Sequence, residues 1–419
     1  MRDFIKAYPR HTVFIDSAII LGAFKDYLAG DFFDEDRIRE FEGAFAKRIG
    51  VGEAVAVSSG RKAFFLILKA FNFPRGSEII LSDYNFPPIV SVIVANGLRP
   101  VFIDVDPTTF NLDTAKIERR ISANTRAILV THAFGNPCDM DAILKLASKF
   151  GLKVIEDCAQ AFGSRWKGSS VGSLSDAAFF SLSIGKNIVT FGGGMAVTSD
   201  VSIVKIIRSY RDSLKKRNTR HILKEIISTA GSYYFTRRPF FNLSIYPLLR
   251  FPGYFFWNII ENNSIESCNK ALDFNDSNTY LSLQAKAGLS QLSRGRDYEA
   301  RKTMISSQLD KNLSNIESLI PQKALVGSSN IRLYHALRLK GASRPTALKL
   351  RKRLLSRGVD TQSPDMHACS TISQFSEHRA DCPISAELAN TVFEIPSDVT
   401  LKEKDLNQIV AAIKECVCE

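Results

Sequence analysis

Short apolar runs alternate with helical patterns between residues 54 and 200. The segments between the runs carry apolar residues at i, i+3 and i+4 spacing. The runs are AVAVS (54–58), EIILS (78–82), PVFIDV (100–105), RAILVTH (126–132), KVIED (153–157), AAFFSLS (177–183) and MAVTS (195–199). This alternation predicts an α/β fold with a mostly parallel, seven-stranded sheet that is covered by helices on both faces. Ligands of such sheets bind at the C-terminal ends of the strands.

The pattern changes after residue 200. A basic, helix-like stretch (201–225) is followed by a region that we call the aromatic segment (232–260). Helical periodicity resumes at Tyr280 and predicts one long helix. The remainder is expected to form a strand, a helix, an irregular loop and two further helices, ISAELANTVF (384–393) and KEKDLNQIVAAIKE (402–415). We therefore expect an N-terminal arm (1–30), a large domain (31–300) with an insertion at about 210–275, and a small C-terminal α+β domain (301–419).

The composition is that of an ordinary globular protein. The 419 residues are 45% hydrophobic and 23% charged, which excludes a disordered or collagen-like chain. The 55 basic residues outnumber the 43 acidic ones, giving a net charge of +12. That surplus favours an anionic partner, such as a phosphorylated metabolite, a membrane surface or nucleic acid. Because the basic residues belong to no recognisable nucleic-acid-binding motif, we expect no nucleic-acid partner.

Cysteine usage and the N-terminal sequence indicate the compartment. Seven cysteines are thinly scattered through the chain, which is no disulfide framework and fits a reducing environment. Cys416 and Cys418 form a Cys-x-Cys pair, but no cysteine or histidine partners lie near it in the sequence, so we expect no metal site. The first residues carry spread charges and no long apolar core, so the sequence predicts a cytoplasmic protein without a secretory signal.

Candidate chemistry lies where three of the predicted strands end. The first ends in Ser59-Gly60 and opens into a helix, an arrangement that can bind phosphate. The fifth ends in Asp157, which could cap a helix or pair with a cation. The sixth leads through Ser181 to Lys186 on a glycine-flanked turn. Each feature alone has an ordinary structural explanation.

Together these residues supply what pyridoxal phosphate requires. Its aldehyde needs a lysine (Lys186), and its ring nitrogen needs a carboxylate (Asp157). Its phosphate needs N–H and hydroxyl donors, and its ring needs an apolar lid. The donors come from Ser59, Gly60 and Ser181, and the lid is Phe86.

The same segments resemble the DegT/DnrJ/EryC1/StrS family of sugar aminotransferases, which have the type I fold of pyridoxal-phosphate enzymes. The matching segments are VAVSSG (55–60), EIILSDYNFPP (78–88), RPVFIDVDPTTFNLD (99–113), IEDCAQAFGSRWKGSSVGSLSDAAFFSLSIGKN (155–187) and LQAKAGLSQL (283–292), with a weaker C-terminal match. The resemblance implies that Lys186 binds the cofactor aldehyde and moves protons, while Asp157 holds the ring nitrogen. It further implies that Gln160 contacts the ring hydroxyl and that Phe86 stacks on the ring. Ser181 and Gly60 would bind the phosphate.

The resemblance also implies a reaction and an assembly. The reaction is transfer of an amino group, from glutamate, to a keto group of a nucleotide-linked deoxysugar in polysaccharide or glycoconjugate biosynthesis. A homodimer is expected because the neighbouring chain completes the active site in this family.

Four positions depart from the family pattern. Arg61 stands where threonine usually helps to hold the phosphate. The asparagine lent by the partner subunit falls at Ser277, and we assign its role to the neighbouring Asn278, although Asn275 is also close. Gly193 replaces an acidic residue. Of the loop pattern near the sugar, His367 is what remains, and we expect it to contact substrate.

Two alternatives to transamination stay open at this level. The same cofactor chemistry serves lyases and sugar dehydratases, although the dehydrating branch of the family has histidine in place of Lys186. The second alternative is a non-catalytic, membrane-tethered homologue. The aromatic segment either makes peripheral membrane contact or packs on the catalytic domain or across a dimer interface. Its prolines, Pro247 and Pro252, are expected to interrupt any continuous helix.

Overall fold

The large sheet contains all seven predicted strands. The structure, a computed structural model, describes residues 7–213, 219–250, 254–255, 257, 279–293 and 295–418. The strands are β1 (Glu53–Val57), β2 (Glu78–Ser82), β3 (Arg99–Ile103), β4 (Thr125–Thr131), β5 (Lys153–Asp157), β6 (Ala177–Ser181) and β7 (Gly194–Thr198). Their order is β1-β7-β6-β5-β4-β2-β3. Only β7 runs antiparallel to its neighbours, so the prediction of a mostly parallel sheet is confirmed.

Helices cover both faces of this sheet, because its strands carry apolar side chains on both faces and each face must be shielded from water. The helices of this part of the chain are α1 (Ser17–Ala29), α2 (Glu35–Ile49), α3 (Gly60–Phe71), α4 (Pro87–Ala95), α5 (Met140–Phe150), α6 (Val201–Asp212), α7 (Arg220–Phe235), α8 (Ser282–Leu292) and α9 (Gly295–Leu313). One core cluster joins α3, α4 and α6 to the sheet, a second joins α2 and α8, and a third joins α5.

A second, antiparallel sheet forms near the C-terminus. Its strands are β8 (Leu319–Pro321), β9 (His335–Leu339) and β10 (Val392–Ile395), in that order. With α10 (Arg344–Ser356), α11 (Pro383–Thr391) and α12 (Glu403–Cys418) they form the predicted α+β unit. The sequence reading of a helix through Phe393 was wrong, because the helix ends at Thr391 and the next four residues pair with β9.

The link between the two sheets is two helices rather than the single long one predicted. Helix α8 ends at Leu292, and α9 begins at Gly295. The later residues of α9, including Ile305 and Leu309, pack in the core of the C-terminal unit. The division into an arm and two domains at residues 30 and 300 stays a prediction.

The aromatic segment continues from α7 as a nearly unbroken helical run, from Arg238 to Arg250. The expectation that Pro247 interrupts a helix was wrong. A proline has no N–H to donate, and the run accommodates it by widening into a π-type turn over Phe241–Ile245. Pro252 lies outside the described residues. Among the described helices, none combines the length and apolar character needed to cross a bilayer.

Candidate active site

Lys186 lies on the tight turn that follows β6. Its backbone N–H donates to the Ser183 carbonyl oxygen at 3.2 Å. Gly185 has a φ of +82°, and a β-carbon there would lie 3.0 Å from the hydroxyl oxygen of Tyr334. That hydroxyl donates to the Gly185 carbonyl oxygen at 3.2 Å. The turn therefore needs glycine beside the lysine, and Tyr334 fixes it from the C-terminal unit.

Asp157 is the last residue of β5, and it is 5% exposed. Its Oδ1 accepts a hydrogen bond from the N–H of Ala159 at 3.0 Å, so it caps the following turn as well as facing the site. Burial raises the pKa of Asp157 to about 6, and the positive charge of Lys186 acts against that rise. A bound cation beside this carboxylate would favour its charged form further.

The neighbouring carboxylate, Glu156, has a different role. Successive residues of a strand face opposite sides of the sheet, so Glu156 points away from Lys186. It accepts hydrogen bonds from the N–H groups of Gly172 and Leu174, at 2.8 and 3.1 Å, and lies 3.0 Å from Nε2 of His132. Nδ1 of that histidine accepts the N–H of Cys138 at 3.1 Å. Nε2 therefore carries the proton, and Glu156 fixes the backbone beneath the site.

The Lys186 amine is held in a buried, acidic environment. Burial lowers the pKa of the amine, and the charges of Asp157, Asp365 and Glu394 act in the opposite direction. A buried amine with a lowered pKa is more often neutral, and only the neutral amine can attack a carbonyl.

Small residues surround the start of α3. We call this set, Ser59, Gly60 and Ser181, the cradle. The Ser59 Oγ accepts the N–H of Lys62 at 3.1 Å and so caps the helix. A β-carbon on Gly60 would lie 3.2 Å from the Cβ of Ser181, which places these two residues side by side. The Oγ atoms of Ser181 and Ser183 are 3.0 Å apart. The first N–H groups of α3 and these hydroxyls can hold a phosphate, and Arg61 is exposed at the same helix end.

Gly193 has a structural reason for replacing the family's acidic residue. Its φ is +104°, and a β-carbon there would lie 2.5 Å from Cε2 of the Tyr280 ring. The next residue, Gly194, has equally little space, because a β-carbon would lie 2.3 Å from the backbone nitrogen of Gly60. The turn before β7 therefore requires glycine at both positions in order to pass behind the cradle.

The segment that carries Phe86 pairs with the segment that carries His367. Asn85 pairs with His367 in a short antiparallel ladder, so the loop of the C-terminal unit lies directly against the segment carrying the phenylalanine. Nε2 of His367 is buried without a hydrogen-bond partner among the described residues. A buried, unpaired ring nitrogen beside the site is available to a ligand.

Gln160 is placed by the same set of turns. Its Oε1 accepts the N–H of Phe134 at 2.6 Å, which leaves the amide nitrogen as the group that can donate to a cofactor oxygen. Asn278, the last predicted site residue, lies outside the described residues.

Sequence reasoning missed an acidic cluster that the C-terminal unit brings toward Lys186. Glu394, on β10, is 2% exposed, and Gln362 donates a hydrogen bond to it. Burial and the charge of Asp365 raise the pKa of Glu394 to about 8, while the charge of Lys186 lowers it. The available signal was an acidic residue within the apolar run VFEIP (392–396), and it was missed because the first two residues of that run were assigned to the end of a helix.

The described residues fit pyridoxal phosphate. A buried carboxylate, a buried amine of lowered pKa and a cradle that side chains would fill lie at the C-terminal ends of β1, β5 and β6. This is the edge at which α/β sheets bind ligands.

Comparison with known families assigns the chain. A family model described as "DegT/DnrJ/EryC1/StrS aminotransferase family" matches residues 17–234 and 277–414. The chain belongs to this aminotransferase family. Pyridoxal phosphate is the cofactor that the family implies. The interval between the two matched parts, 235–276, falls within the predicted insertion and includes most of the aromatic segment.

Two relatives of known name are similar over most of their length, and a third over about half of it. The spore coat polysaccharide biosynthesis protein SpsC of Bacillus subtilis is 28% identical over 91% of this chain and 90% of its own. The GDP-perosamine synthase of Caulobacter vibrioides is 29% identical over 90% of this chain and 89% of its own. A dTDP-3-amino-3,6-dideoxy-alpha-D-galactopyranose transaminase of Aneurinibacillus thermoaerophilus is 40% identical over 43% of this chain and 51% of its own.

Solved structures share the fold. The aminotransferase TlmJ from Streptoalloteichus hindustanus superposes with a TM-score of 0.77 at 22% identity, over 98% of this chain and 99% of that one. Helicobacter pylori PseC superposes with a TM-score of 0.78 at 17% identity, with the same coverage. At these identities the likeness establishes the fold class alone.

Proposed function

We propose that this aminotransferase uses pyridoxal phosphate to move the amino group of glutamate onto a keto carbon of a nucleotide-linked deoxysugar, in polysaccharide or glycoconjugate biosynthesis. The observation that carries the proposal is the buried pair of Lys186 and Asp157 at the ligand edge of the sheet. The names of the similar proteins support the sugar substrate. Cytoplasmic location and the homodimer belong to the same proposal.

Each residue of the site would act at a stated atom. When bound, the cofactor supplies an aldehyde and an electron-withdrawing ring. Nζ of Lys186 would hold the aldehyde covalently, and, once the amino donor displaces it, would move a proton between the substrate carbon and the cofactor carbon. The Asp157 carboxylate would keep the ring nitrogen protonated.

The remaining groups would orient and enclose the reactants. The N–H groups of Gly60 and Arg61, with the hydroxyl of Ser181, would bind the phosphate. The Arg61 guanidinium can pair with it directly. Phe86 would cover the ring and exclude water, and the amide nitrogen of Gln160 would donate to the ring hydroxyl. His367 would contact the sugar from the C-terminal unit.

An acceptor screen tests the reaction. The purified protein is incubated with pyridoxal phosphate, glutamate and a panel of nucleotide-linked keto sugars, and both products are followed by mass spectrometry. We expect 2-oxoglutarate to be released together with an aminated sugar nucleotide, and Lys186→Ala to form neither. Failure to release 2-oxoglutarate with any acceptor would contradict the proposal. Loss of water from the sugar without uptake of nitrogen would instead identify a dehydratase.

A further inference from the structure

The aromatic segment has an unusual composition. Its 29 residues include eleven aromatic residues and three arginines, and no aspartate or glutamate. Most of it lies in the interval that the family model does not match. Most of the segment therefore lies outside the pattern that the family model describes, and it needs an explanation of its own.

One face of its helical run is attached to the C-terminal unit. Phe241, Tyr246 and Leu249 are buried together with Leu355 of α10. The Tyr246 hydroxyl donates to the Leu355 carbonyl oxygen at 3.0 Å. Arg238 forms a bidentate ion pair with Asp405 of α12, at 2.8 and 2.7 Å. The inner face is thus fully occupied within the chain.

The outer face of the run is apolar as well. Leu243 is 83% exposed, Phe240 53% and Leu248 50%, and the end of α7 adds Phe235, at 49%. A surface helix whose inner face is buried ordinarily carries polar residues outside. Exposed apolar side chains gathered in this way mark a contact surface. We call this set, with Tyr234 and Phe255, the outer face.

We propose that the outer face docks on the surface of an anionic lipid bilayer. Aromatic rings and leucines beside arginines, with no acidic residue, are what an interfacial anchor requires. The exposed Arg237, whose guanidinium lies 4.1 Å from the centre of the Tyr233 ring, sits at the start of the run. The short helical run suits a segment that lies in the headgroup region rather than one that spans the membrane.

Charge distinguishes the bilayer from a second copy of the chain. If the outer faces of two subunits met, the exposed Arg237 of each would approach the other without an acidic residue of the segment to pair with, and like charges repel. Anionic headgroups offer the complementary charge to basic residues near the membrane surface. The net charge of +12 acts in the same direction.

Vesicle flotation tests the proposal independently of the sugar chemistry. The test variant combines Phe235→Ser, Leu243→Ser and Leu248→Ser. The control variant combines Leu28→Ser, Val201→Ser and Val326→Ser, which replace side chains 83%, 58% and 95% exposed elsewhere. We expect the wild type and the control to float with phosphatidylcholine–phosphatidylglycerol vesicles. The partition coefficient of the test variant should be lower by about tenfold or more. Pure phosphatidylcholine vesicles or high salt should also weaken binding.

Two results would overturn the proposal. One is equal flotation of the test variant and the wild type. The other is a wild type that does not float, combined with a test variant whose mass in solution, measured by light scattering, falls to that of a smaller oligomer. That outcome would make the outer face a subunit interface. Circular dichroism and retained aminotransferase turnover would establish that the test variant is folded.

Discussion

At the scale of single residues, position on a strand decides what each acid can do. Glu156 and Asp157 are adjacent, yet one fixes backbone N–H groups while the other faces Lys186. Glu394 approaches the same lysine from the other sheet, and burial raises its pKa to about 8. With a pKa of about 8, Glu394 gives the site a proton to exchange at neutral pH, whereas Asp157, with a pKa of about 6, is mostly ionised there.

The raised pKa of Glu394 predicts a pH dependence of stability. Between its ordinary value and about 8, the folded protein keeps a proton on Glu394 that the unfolded chain has released. The free energy of unfolding therefore falls as the pH rises through this window. Asp157 acts in the same direction only up to about pH 6. Thermal unfolding between about pH 6.5 and pH 8 should show a falling midpoint in the wild type and a flatter one in Glu394→Gln. Parallel profiles would contradict the assignment.

Gly193 predicts a cost that its sequence context does not reveal. An alanine at this position would have to adopt a positive φ, and its β-carbon would clash with the Tyr280 ring. We expect Gly193→Ala to lower the free energy of unfolding by about 2 kcal/mol or more, measured by urea denaturation. Gly43→Ala is the matched control, because it lies within α2 with open space around it, and it should be neutral or stabilising. Equal effects would refute the steric account.

At the scale of elements, α8 clamps the turn behind the cradle with two glutamines. The side chain of Gln284 donates to the carbonyl oxygens of Phe191 and Gly192, at 3.1 and 3.2 Å. The side chain of Gln291 accepts the N–H of Val189 at 2.9 Å. Seven residues are about two helical turns, so both glutamines lie on one helix face. These hydrogen bonds explain the two glutamines of the LQAKAGLSQL motif.

Breaking this clamp should destabilise the protein. Gln284→Leu removes the two donated bonds and the bond that its Oε1 accepts from Leu281 N–H at 2.9 Å, leaving buried backbone groups unpaired. We expect a loss of about 2–3 kcal/mol in the free energy of unfolding, together with weaker cofactor binding. Gln374→Leu, on an exposed residue, should change neither quantity. An unchanged Gln284→Leu variant would show that the clamp is not needed.

Elements differed in how well the sequence predicted them. The seven large-sheet strands were predicted because each is a short apolar run bounded by turn residues. Strand β10 was missed because its four residues follow a helix directly, without a turn signal, and gain their pairing from other parts of the chain, β9 and Gln362. The roles of Lys186 and Asp157 could be inferred from strand ends, whereas Tyr334 and Glu394 depend on contacts between the two sheets.

At the scale of the whole molecule, the site is assembled from distant parts of the chain. Turns after β1, β5 and β6 supply one wall, and the C-terminal unit supplies Tyr334, His367 and Glu394. The family pattern adds an asparagine from a second subunit, which would make the complete site a property of the dimer.

The proposed dimer predicts different effects for two nearby asparagines. We expect Asn278→Ala to weaken pyridoxal-phosphate affinity about tenfold, because one hydrogen bond to a charged phosphate is lost. Asn275→Ala should leave the affinity unchanged. At a pyridoxal-phosphate concentration too low to saturate Asn278→Ala, mixing this variant with Lys186→Ala should restore part of the activity, since a mixed dimer contains one intact site. Without that restoration, Asn278 does not act across the subunits.

The most direct test of the account is to trap the cofactor on the chain. The protein is loaded with pyridoxal phosphate, reduced with sodium borohydride and digested, and the peptides are analysed by mass spectrometry. The account predicts that the reduced cofactor is found on the peptide that contains Lys186, and that Lys186→Ala carries no label. A label on another lysine, or no label in protein that retains the cofactor, would contradict the account.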